Sequence, residues 1–259
     1  MVEVQTCQTM AEAAASLGEG ARYLGGGTIV MRQVNYGDQS FHRIVRALQP
    51  ERGVRGDVQG LRIGAGTTMA DLLASSEVRF LHPVARQIGG PAIRNMATLG
   101  GNLFAQNPYG DLAVALLALD AQVVMSGGQA QPMERFLAER GHLRGLVEAV
   151  SLPRPQPGTF YFRKVSRVKP KGVSVMSLAG CLRSGDPRVV FGNMGPAPTR
   201  ARAAERALAG GLSEAAISAA CSVCTEGLAP ADDALASAWY RREVAAVHLR
   251  RMLDSGASD

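Results

Sequence analysis

Cysteine and long hydrophobic runs are both scarce in this sequence. Its four cysteines are too few and too scattered for a disulfide framework. The longest apolar run, residues 112–119, is bounded by Asp111 and Asp120 and is far shorter than the roughly 20 residues a membrane-spanning helix needs. The N-terminal segment contains Glu3 and lacks an uninterrupted apolar stretch, so we expect no signal peptide. The default expectation is a soluble cytoplasmic protein.

Two of the cysteines, Cys221 and Cys224, form a single C-x-x-C pair, which is compatible with a redox pair or with half of a metal site. No second pair completes a four-ligand set. The surrounding segment LSEAAISAACSVCTEGL has the spacing of an amphipathic helix with small packed residues. This pattern favours structural cysteines, so any iron–sulfur cluster would belong to another chain.

Positive charge exceeds negative charge, with 28 Lys and Arg against 22 Asp and Glu, a formal charge of +6 and a pI near 9.5. Such a balance can mark a nucleic-acid-binding protein. Here many arginines fall in short pieces, at residues 154–171, 199–206 and 240–251, without a nucleic-acid motif. The distribution favours solvated helix faces and a protein partner. The four histidines are expected to be structural or exposed, and no general acid or base is required of them.

The order of patterns along the chain predicts an α+β protein. Residues 1–150 alternate strands and short helices, typical of a two-lobed α+β domain. They include a helix near residues 10–18 and a strand and helix in 61–75, where Thr67 or Thr68 would start the helix and Asp71 would lie in its first turn. A Pro-rich segment, residues 151–160, marks a boundary. Beyond it we predict three strands, near 160–168, 172–184 and 188–195, then three helices, 199–210, 213–227 and 234–253, covering one sheet face.

Two glycine-rich segments are the candidate binding loops. RYLGGGTIV contains Gly25, Gly26 and Gly27, and NMATLGGNLFAQNPYGDL contains Gly100 and Gly101. Successive amides in glycine turns form a concavity that suits a pyrophosphate. Taken singly, each loop is better explained as a ligand-free turn, and neither matches the G-x-G-x-x-G fingerprint or the phosphate loop. A nicotinamide-type Rossmann domain is therefore disfavoured, and we interpret the pair as holding one extended dinucleotide.

Residues 87–123 closely resemble the FAD-binding subunit of the molybdenum hydroxylases, the family of xanthine dehydrogenase, aldehyde oxidoreductases and aerobic carbon monoxide dehydrogenase. The resemblance rests on IRN, AT-x-GGN, an Asn-Pro and a final Asp at residues 93–111. The first loop is similar to the family's second flavin motif. FRKVSRV, FGNMGPAPTRARAAERAL and YRREVAAVHLRR extend the resemblance over nearly the whole chain.

The resemblance implies the fold and the domains. We expect a two-lobed FAD-binding domain of the vanillyl-alcohol oxidase (PCMH) type at residues 1–153. A smaller α+β domain at residues 154–259 would follow, with a three-stranded antiparallel sheet and helices.

The resemblance also implies a non-covalent FAD site. The first loop would wrap the pyrophosphate and ribityl chain, and the second would approach the pyrophosphate and flavin from the other side. Asp111 would accept hydrogen bonds from hydroxyls, and Arg163 or Lys164 would reach the flavin or close the cleft. The implied residues are Arg22, Tyr23, Leu24, Gly25, Gly26, Gly27, Thr28, Ile29, Ala97, Thr98, Gly100, Gly101, Asn102, Tyr109, Asp111, Arg163 and Lys164.

The sequence departs from the family pattern at three of these positions. Gly25 replaces the usual Ala, which is a mild change, and Ile29 replaces a residue that is often polar, which removes one hydrogen bond to the cofactor. Tyr109 stands in a loop of small residues and would either stack near the isoalloxazine or only cover the cleft. Residues 168–172 also differ from the family, so the docking surface for the electron acceptor is expected to differ.

By resemblance, this chain would carry electrons and would not itself oxidise a substrate. A molybdopterin-binding large subunit would hydroxylate a small molecule, and a [2Fe–2S] small subunit would pass electrons to FAD here. NAD, a quinone or oxygen would then accept them. The protein's share would be to position and tune the flavin. The alternatives are a stand-alone FAD-dependent oxidoreductase and a scaffold subunit that has lost FAD.

Overall fold

Helices and strands alternate in short pieces along the chain, as a computed structural model shows for residues 2–143, 145–168 and 172–257. The strands are β1 (Glu3–Cys7), β2 (Ala21–Tyr23), β3 (Arg43–Ala47), β4 (Val54–Gly56), β5 (Leu61–Gly64), β6 (Gln122–Met125), β7 (Ala130–Pro132), β8 (Val147–Leu152), β9 (Phe160–Val165), β10 (Met176–Arg183), β11 (Asp186–Gly192) and β12 (Thr199–Arg200). The helices are α1 (Met10–Ala15), α2 (Val30–Asn35), α3 (Met69–Ala74), α4 (His82–Arg86), α5 (Pro91–Met96), α6 (Leu99–Phe104), α7 (Asp111–Ala118), α8 (Met133–Glu139), α9 (Arg202–Ala207), α10 (Glu214–Val223) and α11 (Ala238–Ala257), with a 3-10 helix at Ser76–Leu81.

The chain divides into two compact units. Unit 1 contains residues 1–105 and 121–152, and unit 2 contains residues 106–120 and 153–259. The segment that begins after α6 and contains α7 therefore belongs to unit 2. The predicted domain limits at residues 153 and 154 stay a prediction.

Unit 1 has two sheets, in keeping with the two lobes predicted from the sequence. A parallel sheet has the order β1-β3-β2, and α1 packs on it in a small core that includes Met10, Ala13 and Val45. The second, antiparallel sheet has the order β4-β5-β8-β6-β7. Ile63 and Phe136, which are fully buried, contribute to the interior of this unit.

Helix α3 begins at the position the sequence indicated. The Thr68 side chain accepts a hydrogen bond from the Asp71 amide, and the Asp71 side chain accepts one from the Thr68 amide, which completes a capping box. The predicted start at Thr67 or Thr68 is confirmed. The cap fixes the direction of the chain immediately after β5, where the second glycine loop packs.

Unit 2 is built on an antiparallel sheet with the order β12-β11-β10-β9. The prediction of three strands omitted β12, because residues 199 and 200 were assigned to a helix. They instead pair with Phe191 and Val190, and α9 starts only at Arg202. The core against α9, α10 and α11 includes Leu178, Phe191 and Leu249.

Helix α7 corrects a second expectation, that helices cover one face of this sheet. Every residue of α7 is buried, and the helix contacts β10 and β11. Gly192 lies against Val114 of α7, whereas Gly180 lies against Met252 of α11. Both faces of the sheet are therefore covered. A helix that is apolar on all sides is explained by such burial.

Three short helices occupy segments where the sequence predicted loops or extended chain. They are α2, α5 and α6, each of six residues. Pro91 starts α5 at a position where its missing amide hydrogen costs nothing, and Thr98 caps α6 by accepting from the Gly101 amide. Over the described part of the chain, no helix is long and apolar enough to cross a membrane.

Candidate functional site

The first glycine loop presents a run of backbone amides that have no partner within the described residues. Leu24 N donates to Val45 O over 2.7 Å, and Met31 N donates to Gly27 O over 2.9 Å. Among the described residues, the amides of residues 25–30 between them donate no hydrogen bond. They lie where β2 ends and α2 begins, and Ile29 at the N-cap supplies no side-chain acceptor. Consecutive free amides of this kind form an anion-binding concavity.

The two glycine loops meet within unit 1. A β-carbon on Gly26 would overlap the carbonyl oxygen of Met96, and one on Gly25 would lie 2.9 Å from Thr98 Oγ1. Residue 26 must therefore be glycine for the first loop to lie against the chain at Met96–Thr98. The two loops that the sequence analysis interprets as holding one dinucleotide therefore lie next to each other, and their contacts with a cofactor stay a prediction.

The second loop differs from the first because its amides are already engaged. Leu99 N donates to Thr67 O, Gly100 N to Ala65 O, Gly101 N to Thr98 Oγ1 and Asn102 N to Thr98 O, over 2.8 to 3.2 Å. A β-carbon on Gly100 would lie 3.0 Å from Ala65 Cβ, so this glycine permits close packing of α6.

The second loop would therefore contribute side chains to a ligand. The hydroxyl oxygen of half-buried Thr98 accepts from the Gly101 amide, and among the described residues its hydrogen is not donated to any acceptor, so it can donate to a ligand. The predicted cofactor contacts of Ala97, Thr98, Gly100, Gly101 and Asn102 stay a prediction.

The residues before the first loop are divided between the interior and the surface. Tyr23 is half-buried against the small core of unit 1, and its hydroxyl lies 3.1 Å from Met10 Sδ. Burial raises the pKa of Tyr23. Arg22 is exposed and lies over the Phe41 ring, 5.7 Å from its centroid. Arg22 carries its charge at the surface, where it interacts with Asp38.

Asp111 forms a buried ion pair in unit 2. Its Oδ2 lies 2.9 Å from Lys164 Nζ, and both side chains are only 6% exposed. Ser174 Oγ donates to its Oδ1 over 2.6 Å. Asp111 is also the first residue of α7, where its negative charge interacts favourably with the helix dipole. Both carboxylate oxygens thus have protein partners, and the expected contacts of Asp111 and Lys164 with the cofactor stay predictions.

Of the two remaining predicted site residues of unit 2, Arg163 is half-buried and Tyr109 is exposed. Arg163 donates to the carbonyl of Arg251 in α11 over 3.0 Å. Tyr109 is 41% exposed, and its amide donates to Gln106 O. Both interpretations of Tyr109, stacking near the flavin or covering the cleft, remain open.

The C-x-x-C pair lies at the C-terminal end of α10, as the helical pattern indicated. Cys224 is buried in the core of unit 2, and burial, assisted by the nearby Cys221, raises its pKa to about 12. Burial also raises the pKa of Cys221. Because the thiolate is the reactive and metal-binding form, these shifts support a structural role for the pair. Within the described ranges, no group of three or more His, Cys, Asp or Glu side chains could hold a metal ion.

Sequence patterns could not supply two features of the site. One is the segment Ala65–Thr67, whose carbonyls hold the second loop through its amides. The other is Ser174 beside Asp111, a serine 63 residues away with no motif around it. Both depend on contacts between distant segments.

Unit 1 has the features of a site for a dinucleotide cofactor. It has a two-lobed α+β scaffold, a run of backbone amides without partners among the described residues, and a glycine, Gly26, where a side chain would overlap the facing loop. Comparison with known proteins identifies the cofactor and the family. Residues 1–155 match the FAD binding domain in molybdopterin dehydrogenase, and residues 175–255 match the CO dehydrogenase flavoprotein C-terminal domain. The chain belongs to the family of FAD-binding subunits of the molybdenum hydroxylases, which are oxidoreductases.

Two relatives and one solved structure illustrate the similarity. The carbon monoxide dehydrogenase medium chain of Afipia carboxidovorans is 27% identical and aligns with 92% of this chain and 89% of its own. The xanthine dehydrogenase FAD-binding subunit of Escherichia coli is 30% identical over 72% of this chain and 71% of its own. The solved structure of carbon monoxide dehydrogenase from Hydrogenophaga pseudoflava shares the fold, with a TM-score of 0.88 and 24% identity. The match covers 99% of this chain and 97% of the other. The predicted family, fold class and FAD cofactor are confirmed.

Proposed function

We propose that this chain is the electron-transfer subunit of a molybdenum-dependent hydroxylase or dehydrogenase. It takes electrons from a partner with [2Fe–2S] clusters and passes them to NAD, a quinone or oxygen. The observation that carries the proposal is the run of unpaired amides at residues 25–30, packed against Met96–Thr98. These groups fit the pyrophosphate of FAD.

The residues of the chain bind and orient the cofactor. The amides of residues 25–30 would hold the pyrophosphate, and Thr98 would donate its hydroxyl hydrogen from the facing loop. FAD supplies the two-electron redox chemistry when it is bound. Arg22, which is exposed and precedes the loop in the sequence, would add positive charge near it. The proposed electron transfer needs no proton transfer by a protein side chain, because the residues of the site only bind the cofactor and stabilise its charge.

The partners are part of the proposal. Similar proteins are named as a medium chain, an FAD-binding subunit or a subunit of a dehydrogenase complex. We infer a molybdopterin-binding large subunit and a [2Fe–2S] small subunit beside this chain, in a cytoplasmic assembly of three kinds of chain.

A matched pair of substitutions at Ile29 tests the cofactor site. Ile29 is 40% exposed and is the N-cap residue of α2. Asp or Asn at this position can therefore cap the helix, and neither substitution removes a fully buried side chain from the core. Ile29→Asp places a negative charge beside the pyrophosphate. We expect it to weaken FAD binding at least tenfold, which corresponds to about 1.4 kcal/mol. Ile29→Asn, the neutral control, should retain FAD. The measurement is the FAD dissociation constant from quenching of flavin fluorescence on titration with apoprotein.

The results separate the alternatives. Equal FAD affinity of the Asp and Asn variants would show that the pyrophosphate lies elsewhere. A wild-type chain that cannot be reconstituted with FAD would support the alternative that this chain is a scaffold subunit that has lost FAD. Iron-free wild-type preparations that oxidise a substrate unaided would favour the stand-alone oxidoreductase.

A further inference from the structure

Helix α6, which carries the second glycine loop, is held at both ends by other segments of unit 1. At its start, the amides of Leu99 and Gly100 donate to carbonyls of the segment Ala65–Thr67. At its end, the Leu103 carbonyl accepts a hydrogen bond from Arg140 Nη1 over 2.5 Å. This carbonyl is among the last four of the helix, which have no partner within the helix. A helix of six residues is too short to be stable by itself, so these contacts determine its position.

Helix α8 supplies the contacts at the end of α6. Arg140 is the C-cap residue of α8, and Phe136 lies one turn earlier in the same helix. The Phe136 ring meets the Phe104 ring edge to face, with centroids 5.3 Å apart and planes at 81°. Residues four apart lie on the same side of a helix. One side of α8 therefore contacts the last two residues of α6, Phe104 through an apolar contact and Leu103 through a hydrogen bond.

At this end of α6, the hydrogen bond from Arg140 constrains the helix more narrowly than apolar packing does. Leu99 and Leu103 are fully buried, but apolar burial is non-directional. A guanidinium holds its N–H groups in a fixed planar fork, and a hydrogen bond weakens steeply when donor and acceptor are misaligned. Arg140 therefore restricts where the last turn of α6 can lie.

The charge of Arg140 is costly where it lies. Its side chain is half-buried, and burial lowers its pKa. Among the described residues no acidic side chain pairs with it, whereas Arg135 in the same helix is exposed and paired with Glu139. The partial negative charge at the C-terminal end of α6 compensates Arg140 only in part. A buried cation without an acidic partner lowers stability, so the presence of Arg140 is better explained by the geometry that it fixes.

The position of α6 sets the position of Thr98. Thr98 is the N-cap residue of α6, and its Oγ1 accepts from the Gly101 amide. The same oxygen faces the first glycine loop, since a β-carbon on Gly25 would lie 2.9 Å from it. A shift of α6 relative to α8 would therefore move the Thr98 hydroxyl relative to the first loop.

We propose that Arg140 is a positioning residue for the cofactor, because its hydrogen bond to Leu103 holds α6 where Thr98 can donate to the pyrophosphate of FAD. The inference rests on the proposed function and extends it to a residue outside both glycine loops. Arg140 acts through Thr98 and needs no contact of its own with FAD.

FAD binding by variants of Arg140 tests the proposal. Arg140→Met removes the charge and the donors but keeps an unbranched apolar stem, and it should raise the FAD dissociation constant about tenfold. Arg140→Lys keeps a cation that can donate to the Leu103 carbonyl, so it should restore most of the affinity. The matched control, Arg135→Met, makes the same change on the same helix and should bind FAD like the wild type. Flavin-fluorescence titration of the full-length apoprotein measures each constant, and circular dichroism confirms that each variant is folded.

A double-mutant cycle with Thr98→Ala separates positioning from a general loosening of unit 1. If Arg140 acts through the Thr98 hydroxyl, Arg140→Met should weaken FAD binding much less in a chain that also carries Thr98→Ala. A purely structural role predicts the same loss of affinity in both backgrounds. Arg140→Gln, which is neutral and shorter than Arg, replaces Arg140→Met in the cycle if the Met variant does not fold.

The FAD affinities decide between the two roles. Weaker binding by Arg140→Met, recovery in Arg140→Lys and a reduced effect beside Thr98→Ala together support the proposal. Wild-type affinity of Arg140→Met overturns it, even if the variant is less stable, and so does an equal loss of affinity in both backgrounds. Equal FAD affinity of Ile29→Asp and Ile29→Asn would instead contradict the proposed cofactor site itself, so the two failures are distinguishable.

Discussion

At the scale of single residues, breaking the buried ion pair between Lys164 and Asp111 should strongly destabilise unit 2. Both side chains are 6% exposed, and Ser174 donates to the other carboxylate oxygen. Lys164→Met leaves a buried carboxylate without its counter-charge, which costs about 3–5 kcal/mol. Urea unfolding of the variant measures the loss. The double variant Asp111→Asn with Lys164→Met should recover much of it, because no unpaired charge remains.

The same residues can separate a structural role from a cofactor role. If Lys164 serves mainly the flavin, Lys164→Met will weaken FAD binding while the free energy of unfolding of the apoprotein stays near the wild-type value. Loss of stability in the apoprotein, with recovery in the double variant, assigns the pair to the fold. Measurements on apoprotein and on FAD-loaded protein therefore distinguish the two roles.

At the level of single residues, the sequence indicated two candidate binding loops but not how the hydrogen bonding of their amides differs. Clustered glycines indicated close backbone approach at both loops, and the structure puts Gly25 and Gly26 against Met96–Thr98. That the amides of Leu99 and Gly100 are engaged depends on the carbonyls of Thr67 and Ala65, more than 30 residues away. No local pattern carries that information. The free amides of the first loop are recognised only once their neighbours are placed.

At the scale of the element, the start of α3 depends on its capping box. Thr68→Ala removes the acceptor of the Asp71 amide and should lower the free energy of unfolding by about 1 kcal/mol. Thr68→Ser keeps the oxygen and should retain most of the stability. Urea unfolding of both variants checks this expectation. An alanine variant as stable as the serine variant would show that packing of Met69 and Leu72 alone fixes the helix.

The cap also predicts a dependence on pH. Burial acts to raise the pKa of Asp71, but hydrogen bonds from Arg52 and from Thr68 outweigh it, and the net pKa lies below its usual value. A carboxyl with a depressed pKa in the folded state stabilises the protein above its unfolded pKa of about 4, and this contribution is lost as the pH falls through the folded pKa. Asp71→Asn should therefore flatten the fall in stability below pH ~4. Unfolding measured at several acidic pH values tests the sign.

Long or strongly patterned elements were predictable and short ones were not. The capped start of α3, the helical run of α7 and strands β9, β10 and β11 follow from periodicity and caps. Helices α2, α5 and α6 span six residues each, too few for a periodic signal to appear. Their sequences read as loops because glycine and proline surround them. Contacts with the rest of unit 1 decide their conformation.

At the scale of the whole molecule, FAD should act as a stabilising ligand for the unit that contains both glycine loops. A ligand that binds only the folded state, at 100 times its dissociation constant, adds about 2.7 kcal/mol to the free energy of unfolding.

Cys7 can report this stabilisation locally, since its thiol is free and buried in the small core of unit 1. We expect FAD to raise the urea concentration at which Cys7 becomes accessible to a thiol reagent. Mass spectrometry of the Cys7 peptide measures the labelling. Ile29→Asp should lose this protection at the same FAD concentration, whereas Ile29→Asn should keep it. Equal labelling of Cys7 with and without FAD would mean that the cofactor does not bind the folded unit 1, because any ligand specific to the native state must shift the unfolding equilibrium.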